Sequence, residues 1–164
     1  MEIRNAKRED LAAIMEIYEG ARRYMRENGN REQWAGGYPP QALIERDIAE
    51  GICYVCTEGC ELLGVFCYFY GEDPTYLEIE DGAWLNDRPY GVIHRIASAT
   101  HRKGVASACF DWAFAKCGNL KIDTHRDNIP MQRSLAKNGF ARCGIIHLAN
   151  GDPRIAYQKT ETVG

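Results

Sequence analysis

The chain has 164 residues, 45% of them hydrophobic and 26% charged, with a formal net charge of −3; this is an ordinary globular composition that excludes disordered and fibrous classes and suits one domain over residues 1–164. Basic residues are interleaved with acids, which argues against nucleic acid as a partner. The longest apolar runs, such as Leu62 to Tyr70, are too short to span a bilayer, and the N-terminus carries charges where a signal peptide needs an apolar stretch, so no membrane partner and a cytoplasmic location are expected.

Met1 to Asn5 reads as a short first strand, followed by Leu11, Ile14, Met15, Tyr18 and Met25 at helical spacing. That helix ends near Asn28 and Gly29. The stretch Gln33-Trp-Ala-Gly-Gly-Tyr-Pro-Pro reads as a loop, after which Pro40 suits the first turn of a helix carrying Leu43, Ile44 and Ile48, with Gly51 as its stop. Ile52 to Thr57 and Leu62 to Tyr70 form an expected hairpin with both faces largely apolar. Tyr76 to Glu80 alternates less cleanly and is expected as a further strand. Gly91 to Ala97 reads as a strand leading into a basic loop and a helix that opens at Gly104; Leu120 to Thr124 is the next strand, completing a β-α-β crossover. A last helix over Ile129 to Asn138 stops at Gly139, and strands Arg142 to Leu148 and Arg154 to Gln158 flank an Asn150-Gly151 turn. The expected architecture is α+β, a mixed, mainly antiparallel sheet with helices on both faces.

Seven cysteines is an odd number, and Cys53, Cys67, Cys109 and Cys117 fall inside apolar segments, as small hydrophobes do. Cys53 and Cys56 make a C-x-x-C with Cys60 nearby. Residues three apart on a strand point to opposite faces, however, and no second Cys or His pair follows at finger-like spacing, so no metal is expected.

The chemistry concentrates at His101-Arg102-Lys103-Gly104-Val105-Ala106. A helix start presents unpaired N–H groups and a partial positive charge, Arg102 and Lys103 add full charges, and the missing Cβ at 104 with a small residue at 106 lets backbone amides approach a phosphate. The bland alternative is a plain helix start with solvated basic residues. No Gly-x-x-x-x-Gly-Lys-Ser/Thr sequence supports a nucleotide enzyme instead.

This segment resembles the acetyl-CoA loop of the GNAT superfamily of N-acetyltransferases, whose pattern is Gln/Arg-x-x-Gly-x-Gly/Ala after a strand. Asn128-Ile-Pro-Met-Gln-Arg-Ser-Leu-Ala-Lys-Asn-Gly-Phe140 is similar to that family's later helix ending in Gly-Phe, at the expected distance downstream. The resemblance covers nearly the whole chain and implies an acyl-CoA N-acyltransferase-like fold with acetyl-CoA as co-substrate. It implies that Ile96, Ala97 and Ser98 offer main-chain groups to the pantetheine arm, that His101, Arg102, Lys103, Gly104, Val105 and Ala106 surround the pyrophosphate, and that Asn128 and Met131 touch the arm. It also implies that the two parallel strands, ending near Ala97 and Thr124, splay to admit the cofactor. Two positions depart from the pattern. His101 stands where Gln or Arg is usual, and Leu135 stands where many members carry a Tyr that protonates the departing thiolate. A hydrocarbon donates no proton, so Ser134 or a water serves, or the thiolate leaves unassisted.

Attack on a thioester needs a neutral amine, hence a base or a water chain. His94 is the first candidate, expected two residues before Ile96 on the same strand face, with a structural histidine as the alternative. Glu78, Glu80 and Asp73 are candidates to bind or deprotonate a cationic acceptor, or are plain surface carboxylates. His125 is a further candidate, or a polar loop residue. Trp34 and Tyr38 either wall the acceptor or plug the edge of the core. Phe110, Trp112 and Phe114 fit helix packing, and Cys109 and Cys117 are disfavoured as nucleophiles because their helix packs on the sheet. The resulting expectation is direct acetyl transfer from acetyl-CoA to a small-molecule or peptide amine in a ternary complex, in a protein that forms a homodimer in many members of such a family. A CoA-binding sensing module that has lost transfer is the alternative.

Overall fold

A computed structural model describes residues 1–99 and 101–161. Seven strands, β1 (Glu2–Asn5), β2 (Cys53–Glu58), β3 (Glu61–Tyr70), β4 (Gly91–Ser98), β5 (Asn119–Thr124), β6 (Ala141–His147) and β7 (Pro153–Thr160), form one sheet in the order β1-β2-β3-β4-β5-β7-β6. Only β4 and β5 run parallel; every other neighbour pair is antiparallel. Four helices, α1 (Leu11–Glu27), α2 (Gln41–Ala49), α3 (Val105–Cys117) and α4 (Ile129–Lys137), cover the two faces. This is the expected acyl-CoA N-acyltransferase-like architecture.

On one face Ile14 and Tyr18 of α1 and Ile44 of α2 bury against Cys53, Val55, Val65 and Ala97. On the other, Val105, Cys109, Phe110 and Ala113 of α3 and Leu135 of α4 pack over Phe66, Tyr68, Ile93, Leu120 and Ile122. Burial of the β2–β3 hairpin from both sides accounts for its continuous apolar runs. Trp112 lies 4.7 Å from the Tyr54 ring centre, so the α3 aromatics serve packing as expected. Cys53 and Cys56 fall in opposite clusters, and burial pushes the Cys53 and Cys67 thiols up to about 12.

The segment 71–90 departs from the expected strand at Tyr76–Glu80. It forms a 3-10 turn over Pro74–Tyr76, and Glu80 makes a single antiparallel bridge to Ile145. Its apolar side chains are spent on the sheet face instead of a ladder: Tyr76, Ile79, Trp84 and Tyr90 pack with Val92, Ile146 and Ala156. The Trp84 indole N–H donates to the Tyr76 carbonyl at 2.9 Å, and Leu85 N–H donates to Gln158 Oε1 at 2.8 Å. Tying the segment down in this way sets Asp73 and Thr75 over β4.

Candidate acyl-transfer site

The parallel ladder between β4 and β5 has two pairs, Gly91↔Leu120 and Val92↔Lys121, after which the strands diverge although β4 runs on to Ser98 and β5 to Thr124. Ala99 N–H donates to Leu63 O at 2.8 Å, so strand alternation turns Ala97 toward β3 and turns the main-chain groups of Ile96 and Ser98 into the gap. Thr124 Oγ1, buried at the end of β5, has no hydrogen-bond partner among the described residues. Unpaired backbone and an orphan hydroxyl suit an amide-rich arm laid along the gap.

At the mouth of this gap α3 begins. Gly104 precedes it with φ +83°, and no side chain caps the helix. An added Cβ there meets nothing within 4 Å, so the glycine answers to backbone conformation rather than to crowding. Gly64 on β3 answers to crowding: a Cβ there would lie 2.6 Å from Val105 Cγ1, so its absence lets the first turn of α3 settle on the sheet. The first-turn amides are left without a side-chain acceptor, and Lys103 beside them is exposed. Arg102 differs from expectation, since its amide donates to Ala99 O at 3.2 Å and its guanidinium pairs with Glu58 at 2.5 Å. His101 is likewise exposed and paired, at 2.9 Å from Glu61 Oε1. Val105 is buried and Ala106 half-buried against the α3 cluster.

Across the sheet from α3, a cavity of about 670 Å³ opens between the loop after α1, the β4–β5 gap and the β6–β7 turn. His94 and Ile96 both line it, but from opposite faces. Arg95, at φ +52°, forms a bulge where the β3–β4 register shifts between Val65 and Cys67, and the alternation breaks there. Ile96 therefore packs with the α3 cluster, while His94 lies beside Phe69 and Tyr76, correcting the expected shared face. The bulge is braced from both sides: Tyr18 O–H donates to Arg95 O at 2.7 Å, and the Arg95 guanidinium grips Asp47 of α2 at 2.7 and 3.0 Å.

His94 Nε2 lies 2.6 Å from Asp73 Oδ2. Asp73 Oδ1 accepts from Thr75 N–H at 2.9 Å and Thr75 Oγ1 at 2.7 Å, and the Asp73 amide donates to Tyr90 Oη at 3.0 Å. Burial pushes the Asp73 carboxyl up, but the His94 and Thr75 hydrogen bonds and the His94 charge outweigh it and hold it at about 2. An ionised Asp73 accepting from Nε2–H leaves Nδ1 as the free acceptor of the ring. Nδ1 stands 4.0 Å from Asp123 Oδ2, which accepts from Tyr76 O–H at 2.6 Å.

Other expected residues are redistributed. Trp34 and Tyr38 line the cavity, and Trp34 also packs edge-on against Tyr18 at 5.6 Å, so it both walls the cavity and closes the core. Met131 and Asn128 line it too, but the Asn128 side chain is already engaged: Oδ1 accepts from Met131 N–H at 3.2 Å as the α4 cap, and Nδ2 donates to Gln33 Oε1 at 2.9 Å. Glu78 is exposed and is not among the lining residues; the acids that line the cavity are Asp73 and Asp123 beside His94, with the exposed Glu32 and Asp152 at its rim. Ser134 is not among the lining residues either, and Leu135 is fully buried in the α3 cluster. His125 is buried and accepts Asp127 N–H on Nδ1 at 3.0 Å; burial and then Arg154 hold its pKa below the usual imidazole value. Cys109 is buried, with its thiol pushed well up by contact with Cys56 and by burial.

Asp123, Tyr76, Gln33, Asp47 and the Arg95 bulge had no motif to announce them; they converge only through the sheet register. Among the described residues no group of His, Cys, Asp and Glu is placed to hold a metal ion, and no helix is long and apolar enough to cross a membrane.

A sheet opened by a splayed parallel pair, with an uncapped helix start at its mouth, is the architecture of the acyl-CoA N-acyltransferase-like fold. The chain is 30% identical to an acetyltransferase of the GNAT family from Streptococcus agalactiae, with a TM-score of 0.88 and 98% of this chain and 95% of that one covered. It is 26% identical to a proposed acetyltransferase from Staphylococcus aureus, with a TM-score of 0.71 and coverage of 98% and 99%. A structure of AAC(6')-Ib in complex with ribostamycin and coenzyme A shares the fold alone, at 19% identity, a TM-score of 0.65 and coverage of 97% and 92%. No protein-family model and no curated protein matches. The chain belongs to the GNAT family of acetyltransferases.

Proposed function

We propose that the protein transfers an acetyl group from acetyl-CoA to an amine by direct attack in a ternary complex. The observation that carries this reading is the juxtaposition of the β4–β5 gap with His94, whose Nε2 is fixed on Asp73 at 2.6 Å and whose Nδ1 is free at the cavity. Bound acetyl-CoA supplies an activated thioester carbonyl. Ile96 and Ser98 hold its arm by main-chain hydrogen bonds, and the amides of the first α3 turn, with Lys103, hold its diphosphate. Asp123 attracts the cationic amine, and His94 Nδ1 removes its proton so that nitrogen can attack; Asp73 fixes the ring orientation and stabilises the imidazolium. No side chain is assigned to protonate the thiolate, because Leu135 is buried hydrocarbon and Ser134 lies off the cavity. A thiol ionises near a pKa of about 8.5, so it leaves more readily than an alcohol without assistance. The alternative of a sensing module gains no support from the Leu135 position, since this route does not use it.

The test is thiol release from acetyl-CoA across a panel of amines, for wild type and His94→Ala. The reading expects amine-dependent release with wild type and a loss of roughly 10²–10⁴-fold in turnover for the variant, with coenzyme A binding retained. Coenzyme A binding without turnover on any amine would favour the sensing module.

A further inference from the structure

The side of the cavity remote from the thiol route contains a charge with no counterpart. Arg154, the second residue of β7 beside the β6–β7 turn, lines the cavity and is only 7% exposed. Its neighbours Ile155 and Tyr157 point into the α3 cluster, while Ala156 packs with Tyr76 and Val92 on the opposite face, which by strand alternation is also the face of Arg154. Its guanidinium makes one hydrogen bond, from Nη1 to the carbonyl of Pro153 at 2.9 Å. No carboxylate of the described residues lies within 4.0 Å of it. Arg95, the other arginine on this cavity, has Asp47 at 2.7 Å.

A buried guanidinium that no acid neutralises is costly to keep, and its planar fork matches a carboxylate bidentately. The nearby titratable groups do not relieve it. His125 has its Nδ1 occupied by Asp127 N–H and its pKa lowered by burial and by Arg154 itself. Asp152 and Glu32 line the same cavity but are exposed, Asp152 bonded to Asn150, and half-buried Asp127 faces His125 at 3.7 Å; none of them lies within 4.0 Å of the guanidinium. The free donors of Arg154 are left to whatever occupies the cavity.

The register sets the span. Asp123 pairs with Ala156, so Arg154 stands two residues along β7 on the same face, about 7 Å away by strand rise. Asp123 in turn is 4.0 Å from His94 Nδ1. One end of the cavity thus receives a cation and its proton, and the other receives an anion, a few bonds apart.

We propose that the acceptor is a primary amine bearing a carboxylate a few bonds from its nitrogen, an amino-carboxylic acid, with the carboxylate on the Arg154 guanidinium and the amine at Asp123 and His94; this rests on the acetyl-transfer reading above. In the step the ammonium first gives one proton to His94 and thence to solvent; the neutral nitrogen then forms a C–N bond to the acetyl carbon, the C–S bond of the thioester breaks, coenzyme A departs as thiolate, and the second nitrogen proton leaves to solvent.

The experiment compares acetylation of free amino acids with that of their decarboxylated amines and carboxamides. A further arm uses short peptides with an N-terminal Asp or Glu, since a side-chain carboxylate presents the same chemistry. Wild type is expected to favour the carboxylate-bearing amine in kcat/KM by about 10²-fold, the scale of a buried charge pair, mostly through KM. That preference is expected to fall toward unity in Arg154→Gln and to recover in part in Arg154→Lys. Preference for the peptides over free amino acids would place the carboxylate on a side chain and keep the proposal. Decarboxylated amines that react as well as their parents in wild type would overturn it without touching the acetyl-transfer reading, and that comparison needs no variant to fold. Absence of both turnover and coenzyme A binding would sink the acetyl-transfer reading itself.

Discussion

Among single residues, the His94–Asp73 pair matters most to the proposed chemistry. Asp73→Asn removes the acceptor that selects the Nε2–H form of the ring, so turnover is expected to fall by roughly 10²–10⁴-fold while acetyl-CoA affinity holds, as steady-state kinetics and calorimetry would show; equal losses in both would point to misfolding. The same carboxylate makes a prediction about pH. Its pKa is held at about 2 in the fold, against about 3.9 in an unfolded chain. Ionised Asp73 therefore stabilises the fold fully above about pH 4, and that contribution is lost as pH falls through about 2. Melting temperatures of wild type and Asp73→Asn are expected to differ most near neutral pH and to converge in acid. A gap that stays constant with pH would remove the ion pair from the explanation.

Among the elements, the β4 bulge and the start of α3 matter most. The bulge depends on a buried ion pair, Arg95 at 15% and Asp47 at 5% side-chain exposure. Asp47→Ala strands the guanidinium, for which about 3–5 kcal/mol of lost stability is expected in chemical denaturation; a loss below about 1 kcal/mol, the scale of an exposed pair, would mean that Arg95 finds another partner or water. The α3 start depends on Gly64, where a Cβ would sit 2.6 Å from Val105 Cγ1 and 3.2 Å from Ala97 O. Gly64→Ala is expected to cost about 1–3 kcal/mol and to weaken acetyl-CoA binding, because the turn proposed to hold the diphosphate must move. Unchanged affinity in that variant would detach the seating of α3 from cofactor recognition.

Across the whole molecule, what the sequence made legible follows from which signals are local. Periodicity and turn residues placed α1, the β2–β3 hairpin, the β4–α3–β5 crossover and the final hairpin within a residue or two, because each of those elements carries its own pattern. Gly104 and its basic flank announced a helix start for the same reason. The strand expected at Tyr76–Glu80 failed because its apolar residues serve a sheet face on which no strand is laid, a tertiary demand that local alternation does not reveal. Strand alternation alone puts His94 on the wrong face, since one bulged residue reverses the pleat and nothing around Arg95 signals it. Asp123 and Arg154 carry no local signal because each becomes meaningful only when β5, β7 and the 71–90 segment meet, whereas Glu78 has only its nearness in sequence to recommend it. All of the proposed chemistry depends on α3 opening as a diphosphate seat at the mouth of the β4–β5 gap. Calorimetric titration of acetyl-CoA into wild type and Gly104→Asp is the decisive experiment: one site per chain is expected in wild type and none in the variant, where a carboxylate occupies the place of the anion. No heat with wild type, or equal affinity in both proteins, would contradict it.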